Sequence, residues 1–264
     1  MEKISIKTPQ QIQIMKEGGE KLGQILDRAL GMVKAGMSTF EIDSFIDKDI
    51  ISFGGEASFK KVRNYHFATC TGLNNEVVHS IPRKDKIVKN GDLVKIDLGM
   101  IWKGFHTDLS WTVEVGTKNK ENFLKTGEIA LVRAISVAKA GNRVEDISRT
   151  IQESIEKEGF SVVKVLTGHG IGRSLHEDPY IPGYFSGKPG KTPRLLSGMT
   201  LAIEVIYNEK SPDVVLENDD WTISTRDGKM SGLFERTIAV TDQGPLILTP
   251  TIIGKSELEG GLFV

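Results

Sequence analysis

Two histidines and three glycines are concentrated in the segment 168–179, which reads GHGIGRSLHEDP. The chain has five histidines in all, and two of them, His169 and His176, stand seven positions apart here. Imidazole binds metals and exchanges protons near neutral pH, so either chemistry would suit this segment. Gly168 and Gly170 would let the backbone pass close to a bound group while His169 points toward it.

Acidic residues inside two apolar runs indicate a second part of this chemistry. Asp97 lies within LVKIDLGMI and Glu204 within TLAIEVI, and both runs are typical of buried strands. A buried carboxylate is costly unless a hydrogen bond, a salt bridge or a cation compensates it. Asp108 follows Asp97 across the turn candidate Lys103-Gly104, so a hairpin would place the two carboxylates nearly opposite one another. A shared cation would turn their repulsion into attraction.

An internal repeat relates further residues of the chain to these. The tripeptide KAG ends a helical pattern at Gly36 and again at Gly141, and a second helical pattern and then strands follow each time. We infer two copies of one helix-helix-sheet unit, over residues 1–115 and 120–250. Between the two copies, His79 corresponds to His176, Asp97 to Glu204, and Asp108 to Glu235.

Duplication would make four carboxylates converge, and these would need positive charge to stay ionised in a buried site. Two divalent ions roughly 3.5–4 Å apart, bridged by carboxylates and a water, form a recognised hydrolytic centre. His169 would supply a nitrogen ligand, and because the first copy has no equivalent histidine, the two metal positions would differ. Beside such a centre, His79 and His176 are interpreted as substrate contacts, although either one alone is more typical of a half-buried histidine bonded to backbone.

The composition of the chain excludes several classes of protein. The 264 residues are 39% hydrophobic and 26% charged, with a net charge of −1, so no DNA or membrane partner is expected. The single cysteine, Cys70, excludes an intrachain disulfide and suits a reducing compartment. We expect no secretory signal, and the sequence has no apolar run of membrane length. We expect a cytoplasmic protein that is a monomer.

These residues, in this order, resemble the type I methionine aminopeptidases, which belong to the wider group of pita-bread metallohydrolases. The segments NEVVHSIP, IDLGMIWKGFHTD and TGHGIGRSLHEDP carry the resemblance, which runs from about Thr8 to Thr249. It implies an α/β (α+β) fold in which duplicated, pseudo-twofold-related helix-helix-sheet units surround a curved antiparallel sheet. It also implies one catalytic metallopeptidase domain spanning residues 1–264.

The resemblance implies a role for each residue of the site. Glu204 would be both a ligand and the proton shuttle, and Asp108 and Glu235 would bridge the ions. The full set of implied ligands is Asp97, Asp108, His169, Glu204 and Glu235. The implied catalytic residues are His79, His176 and Glu204, and the same two histidines would contact substrate together with Tyr65, Cys70 and Trp221. By residue type alone, these last three are equally well explained by packing.

The implied reaction removes the initiator methionine from nascent proteins and peptides, usually before a small residue, through a hydroxide that bridges the metals. The implied cofactor is two divalent ions, of cobalt, manganese, iron or zinc. The partner would be a peptide or nascent-chain N-terminus that begins with Met, and association with the ribosome is left open.

Four positions depart from the family pattern, and they bear on pocket shape and rate more than on chemistry. Arg236 replaces a usual histidine, Val205 a proline, Leu175 a phenylalanine, and Gly183 an asparagine or histidine.

Two alternatives stay open. One is a proline-specific aminopeptidase or dipeptidase of the same fold, although the roughly 90 residues before Asp97 leave no room for the usual extra N-terminal domain. The other is a metal-free module that binds peptides, although such modules normally lack the ligands.

Overall fold

The computed structural model describes residues 4–252, which contain two pairs of consecutive α-helices. Capping boxes begin the first two, because Thr8 and Ser38 accept the backbone N–H of Gln11 and Glu41, whose side chains accept in return. The helices are α1 (Pro9–Met32), α2 (Thr39–Ser52), α3 (Glu121–Ser136) and α4 (Val144–Lys157).

The strands follow each helix pair. After α2 come β1 (Glu56–Ala57), a 3₁₀ turn (Phe59–Lys61), β2 (Thr69–Leu73), β3 (Glu76–Val78), β4 (Leu93–Trp102) and β5 (Phe105–Glu114). After α4 come β6 (Ser161–Val162), β7 (Thr167–Gly170), β8 (Glu177–Pro182), β9 (Thr200–Asn208), β10 (Val214–Leu216), β11 (Ile223–Thr225), β12 (Ser231–Thr241) and β13 (Gly244–Ile247).

Ten of these strands form one antiparallel sheet that joins the two parts of the chain. Its main order is β1-β4-β5-β12-β9-β7-β8, with β2 paired to β4, β6 to β9, and β13 to β12. The long strands β5 and β12 meet at the centre, where Ser110 pairs with Glu235. The strands β3, β11 and β10 form a smaller antiparallel sheet.

The helices cover one face of the large sheet, and the other face is left for the site. Helix α1 packs on β4 and β5, and α3 packs on β9 and β12. Ile96 and Leu98 belong to this buried core, so Asp97 between them points to the opposite face. Ile203 and Val205 place Glu204 on that face in the same way. None of the helices within residues 4–252 has the length and apolar character of a membrane span.

The turn between β4 and β5 confirms the predicted hairpin and corrects its register. Lys103 and Gly104 have φ values of 49° and 79°, as a two-residue loop of the primed type requires, and Trp102 pairs with Phe105. This register pairs Asp97 with Ser110 and Asp108 with Gly99. The two carboxylates are therefore diagonal neighbours on one face, rather than nearly opposite one another.

Candidate metal centre

Four adjacent strands at the middle of the sheet each contribute one acidic residue to a single cavity. Glu204 and Glu235 are paired directly across β9 and β12, and Ser110 of β5 stands between Glu235 and Asp97. The cavity-lining residues include the whole acidic set and the imidazole, namely Asp97, Asp108, Glu204, Glu235 and His169. The sheet thus brings together residues that lie up to 138 positions apart in the sequence.

His169 is oriented as a ligand by its own strand. Its Nδ1 lies 2.9 Å from the carbonyl oxygen of Gly170, which can only accept, so Nδ1 carries the proton. The unprotonated Nε2 then faces the site, 3.4 Å from Oε1 of Glu204. Donor atoms of Asp108, His169 and Glu235 lie within 4.8 Å of one another, a spacing that a single ion would span.

The close approach of β7 to β9 depends on Gly168. A Cβ atom at this position would lie 2.5 Å from the carbonyl oxygen of Ala202, which is far too short for a contact. Ala202 is also the partner of His169 in the strand pairing. The glycine therefore sets the distance between the two strands and, with it, the depth to which the imidazole enters the cavity.

Burial makes it unfavourable for these groups to carry charge. It raises the pKa of Asp97 to about 7, and it raises the pKa of Asp108, Glu204 and Glu235, which their mutual repulsion raises further. Burial and the nearby His176 lower the pKa of His169 to about 4. The imidazole is therefore neutral at neutral pH and cannot compensate the carboxylates, so ionisation of all four at neutral pH needs a cation from outside the chain.

Two further observations test whether a metal ion fits. Oε1 of Glu235 is buried and has no hydrogen-bond partner within residues 4–252, as expected of an oxygen reserved for an ion. A set of carboxylates with one imidazole is also the donor chemistry that manganese, iron, cobalt and zinc accept. The residues fit a divalent transition metal.

Ser110 belongs to the site, although its sequence context does not reveal it. Its hydroxyl lies 2.8 Å from Oδ1 of Asp97 and 2.7 Å from Oε2 of Glu235. It has one proton and can donate to only one carboxylate at a time, so the second contact requires a proton on a carboxyl group. Only the register of the hairpin would have identified this serine, since position 110 is the partner of position 97.

The matched histidines lie at the rim of the cavity. His79 follows β3 with a φ of 56°, a left-handed conformation that is strained for a residue other than glycine. The ring of His176 meets the ring of His169 edge to face, with centroids 4.4 Å apart. Desolvation lowers the pKa of both His79 and His176, so both are neutral at neutral pH and each presents one N–H donor.

The far end of the cavity is apolar. The rings of Tyr65 and Trp221 meet at a centroid distance of 4.9 Å, and Cys70 lies beside them. The hydroxyl of Tyr65 is occupied by the carbonyl oxygen of Thr69 at 2.7 Å and by Sγ of Cys70 at 3.2 Å, so only its ring faces the space. Phe59, Val62 and Leu175 also line this end. The whole cavity, with its acidic end included, has a volume of about 160 Å³.

The four unusual positions differ in how close they lie to this cavity. Leu175 lines it. Val205 is part of the core under the helices, and the guanidinium of Arg236 stacks on Trp111 there, 4.3 Å from the ring centroid. Arg236 also donates to the backbone oxygen of Glu235, the preceding residue of the same strand. Gly183 packs against Val162, where a Cβ would lie 2.9 Å from a methyl group.

Comparison with known proteins places the chain in a family. Residues 13–242 match the description "Metallopeptidase family M24". A methionine aminopeptidase of Clostridium perfringens is 39% identical over 248 residues, which cover 93% of this chain and 98% of that protein. Methionine aminopeptidase 1 of Bacillus subtilis is 40% identical, with coverage of 93% and 99%.

Solved structures agree with the architecture. The crystal structure of a methionine aminopeptidase from Thermotoga maritima has a TM-score of 0.90 at 37% identity, covering 94% of this chain and 99% of that one. A prolidase from Pyrococcus furiosus shares the fold, with a TM-score of 0.74 at 24% identity, and 65% of its length is covered. The predicted pita-bread fold is thereby confirmed, and the chain belongs to metallopeptidase family M24.

Proposed function

We propose that this protein is a methionine aminopeptidase that uses divalent metal ions to remove methionine from the N-terminus of peptides and nascent chains. One observation carries the proposal: four carboxylates and a neutral imidazole converge at one end of a cavity whose far end is apolar. The relatives named methionine aminopeptidase support the same activity. We propose further that residues 1–264 act as one catalytic domain built from half-repeats over about 1–115 and 120–250.

Asp97, Asp108, His169, Glu204 and Glu235 would hold the metal ions of the proposed centre. Four carboxylate charges are balanced by two divalent cations, which supports a dinuclear centre. When bound, such ions polarise a carbonyl group and lower the pKa of a coordinated water. Cobalt, manganese, iron and zinc all suit these donors.

The proton-transfer and oxyanion roles fall to residues around the ligands. Glu204, ionised once cations neutralise the neighbouring carboxylates, takes a proton from the attacking water and returns it to the leaving amine. His176 donates its N–H to the oxygen of the scissile carbonyl as charge develops there. His79, which also lines the cavity, contacts the nitrogen of the scissile amide.

The apolar end of the cavity is the proposed site for the methionine side chain. The rings of Tyr65 and Trp221 and the thiol of Cys70 offer apolar and polarisable surface, which a thioether contacts favourably. Burial raises the pKa of the Cys70 thiol, so the group is uncharged at neutral pH. A charged or long polar side chain would lose its hydration in this space, which favours methionine.

A second cavity is suited to the remainder of the peptide. It shares the rim residues His79, His169, His176 and Glu204 with the first and opens outward past the exposed residues Val165 and Tyr180. A substrate bound across the rim would direct its methionine inward and its next residues out through this opening. We propose that the protein is a cytoplasmic monomer that acts on the N-termini of peptides in this way. Contact with the ribosome is compatible with this mode of binding.

The test compares two peptides in protein that has been treated with a chelator and then supplied with Mn²⁺ or Co²⁺. We expect release of methionine from Met-Ala-Ser only after metal is added, and no cleavage of Ala-Pro peptides. Trp221→Ala should raise KM for Met-Ala-Ser while metal binding stays unchanged. Cleavage of Ala-Pro peptides alone would support a proline-specific peptidase instead. If neither peptide is cleaved and no metal is bound, the result would support a peptide-binding module.

A further inference from the structure

The short segment that precedes helix α1 is fastened to the loop that carries His176. The backbone N–H of Lys7 donates to the carbonyl oxygen of Gly198 at 2.8 Å, which holds the segment against the sheet. The side chain of Lys7 is buried, with 3% of it exposed. Its ammonium lies 2.5 Å from Oε2 of Glu177, the residue directly after His176.

Glu177 uses both of its carboxylate oxygens. While Oε2 accepts from Lys7, Oε1 accepts the backbone N–H of Ser174 at 3.1 Å. Gly172 closes the same loop, since its N–H donates to the carbonyl oxygen of Ser174 at 3.0 Å. The ion pair therefore fixes the loop 172–177 immediately beside the histidine.

The backbone leaves space for this ion pair. A Cβ atom on Gly172 would lie 2.4 Å from Cε of Lys7 and 2.7 Å from Oε1 of Glu177. The carbonyl oxygen of Gly172 in turn accepts the backbone N–H of His106, on β5, at 2.7 Å. The loop is thus held between the central sheet on one side and the N-terminal segment on the other.

We propose that Lys7 is a positioning residue, which acts through Glu177 to hold His176 where it meets the substrate. This inference rests on the proposed role of His176. Buried ion pairs add little net stability compared with apolar residues of the same volume, whereas their directional contacts fix one geometry. Displacing a catalytic group by about 1 Å is enough to lower a rate roughly 100-fold.

The experiment is a double-mutant cycle with Lys7→Met and His176→Ala, measured by methionine release from Met-Ala-Ser with saturating Mn²⁺. Lys7→Met alone should lower kcat about 10-fold or more and change KM and Mn²⁺ affinity less than 2-fold. In the His176→Ala protein, the same change should alter kcat less than 2-fold, because the group that Lys7 positions is already gone. Glu177→Gln keeps the shape of the side chain at position 177, removes its charge and leaves the Lys7 side chain in place. It should reproduce both results.

The matched control is Lys120→Met, which breaks the half-buried ion pair with Glu209 at 2.8 Å, outside the cavity, and should leave kcat unchanged. Equal losses of kcat from Lys7→Met and Glu177→Gln with and without His176 would overturn the inference, because they would indicate a general loss of structure. Unchanged kcat in both variants would overturn it as well. Failure of the unaltered protein to release methionine would contradict the proposed function itself, so the two failures are distinguishable.

Discussion

At the scale of single residues, the site is a balance of charge among buried and half-buried groups. Four carboxyl groups with raised pKa values face a histidine that is neutral at neutral pH. Ser110 lies between two of the carboxyl groups and has a single proton to give. With cations bound, both neighbours can be ionised, and the serine then orients whichever one accepts its proton.

Ser110→Ala tests this arrangement. The variant keeps every proposed ligand but removes the hydroxyl that donates to Asp97 or Glu235, so we expect Mn²⁺ affinity to fall about 10- to 100-fold. Isothermal titration of chelator-treated protein measures it. Ser136→Ala is the control, since that hydroxyl bonds a backbone carbonyl in α3. Wild-type affinity in Ser110→Ala would show that the hydroxyl does not orient the ligands.

The acidic residues could be predicted from the sequence because a carboxylate inside an apolar run demands a compensating charge. Ser110 could not be predicted in this way, because a serine in a strand needs no compensating charge. Only the pairing register of the strands places it between Asp97 and Glu235. The ion pair of Lys7 with Glu177 could not be predicted either, since the two residues are 170 positions apart and belong to no shared sequence pattern.

At the scale of elements, the depth of the site is set by the distance between strands. The helix starts at Thr8 and Ser38 were predictable from local hydrogen bonding. The end of α1 was predicted at Gly36, but the helix stops at Met32 because Val33 is already extended. The proximity of β7 to β9 depends on contacts far apart in the chain, which no local pattern encodes.

Gly168→Ala tests the spacing of these strands. The added methyl group would collide with the carbonyl oxygen of Ala202, so β7 would move outward and take His169 with it. We expect methionine release to fall at least 10-fold, together with weaker metal binding. Gly31→Ala in α1 is the control, because its Cβ meets nothing within 4 Å, and helix propensity favours it by about 1 kcal/mol. Equal activity of the two variants would contradict a role for the spacing.

At the scale of the whole molecule, metal binding, protonation and folding are linked. A carboxyl group whose folded-state pKa is raised holds its proton over a pH range in which the unfolded chain has lost it. A metal ion must displace these protons, so binding tightens as pH rises through the pKa of Asp97, which is about 7. His169 does not oppose this trend, since its pKa of about 4 leaves it deprotonated throughout the range.

The expected result is a difference in melting temperature, between metal-loaded and chelated protein, that increases from pH 6 to pH 8 at a fixed Mn²⁺ concentration. At about 100 times the dissociation constant, the metal should raise Tm by roughly 5–10 °C in a protein of this size. Differential scanning calorimetry at several pH values measures it. A difference that stays constant or shrinks as pH rises would show that protons do not compete with metal at these carboxylates.

The acidic residues are tolerated inside the molecule because they hold catalytic metal. Elemental analysis of purified wild-type and Asp97→Ala protein, with methionine release assayed on the same samples, tests this. We expect the wild type to contain divalent transition metal and to release methionine, and the correctly folded variant to have lost both. Undiminished metal content and activity in Asp97→Ala would show that the carboxylates are tolerated for another reason.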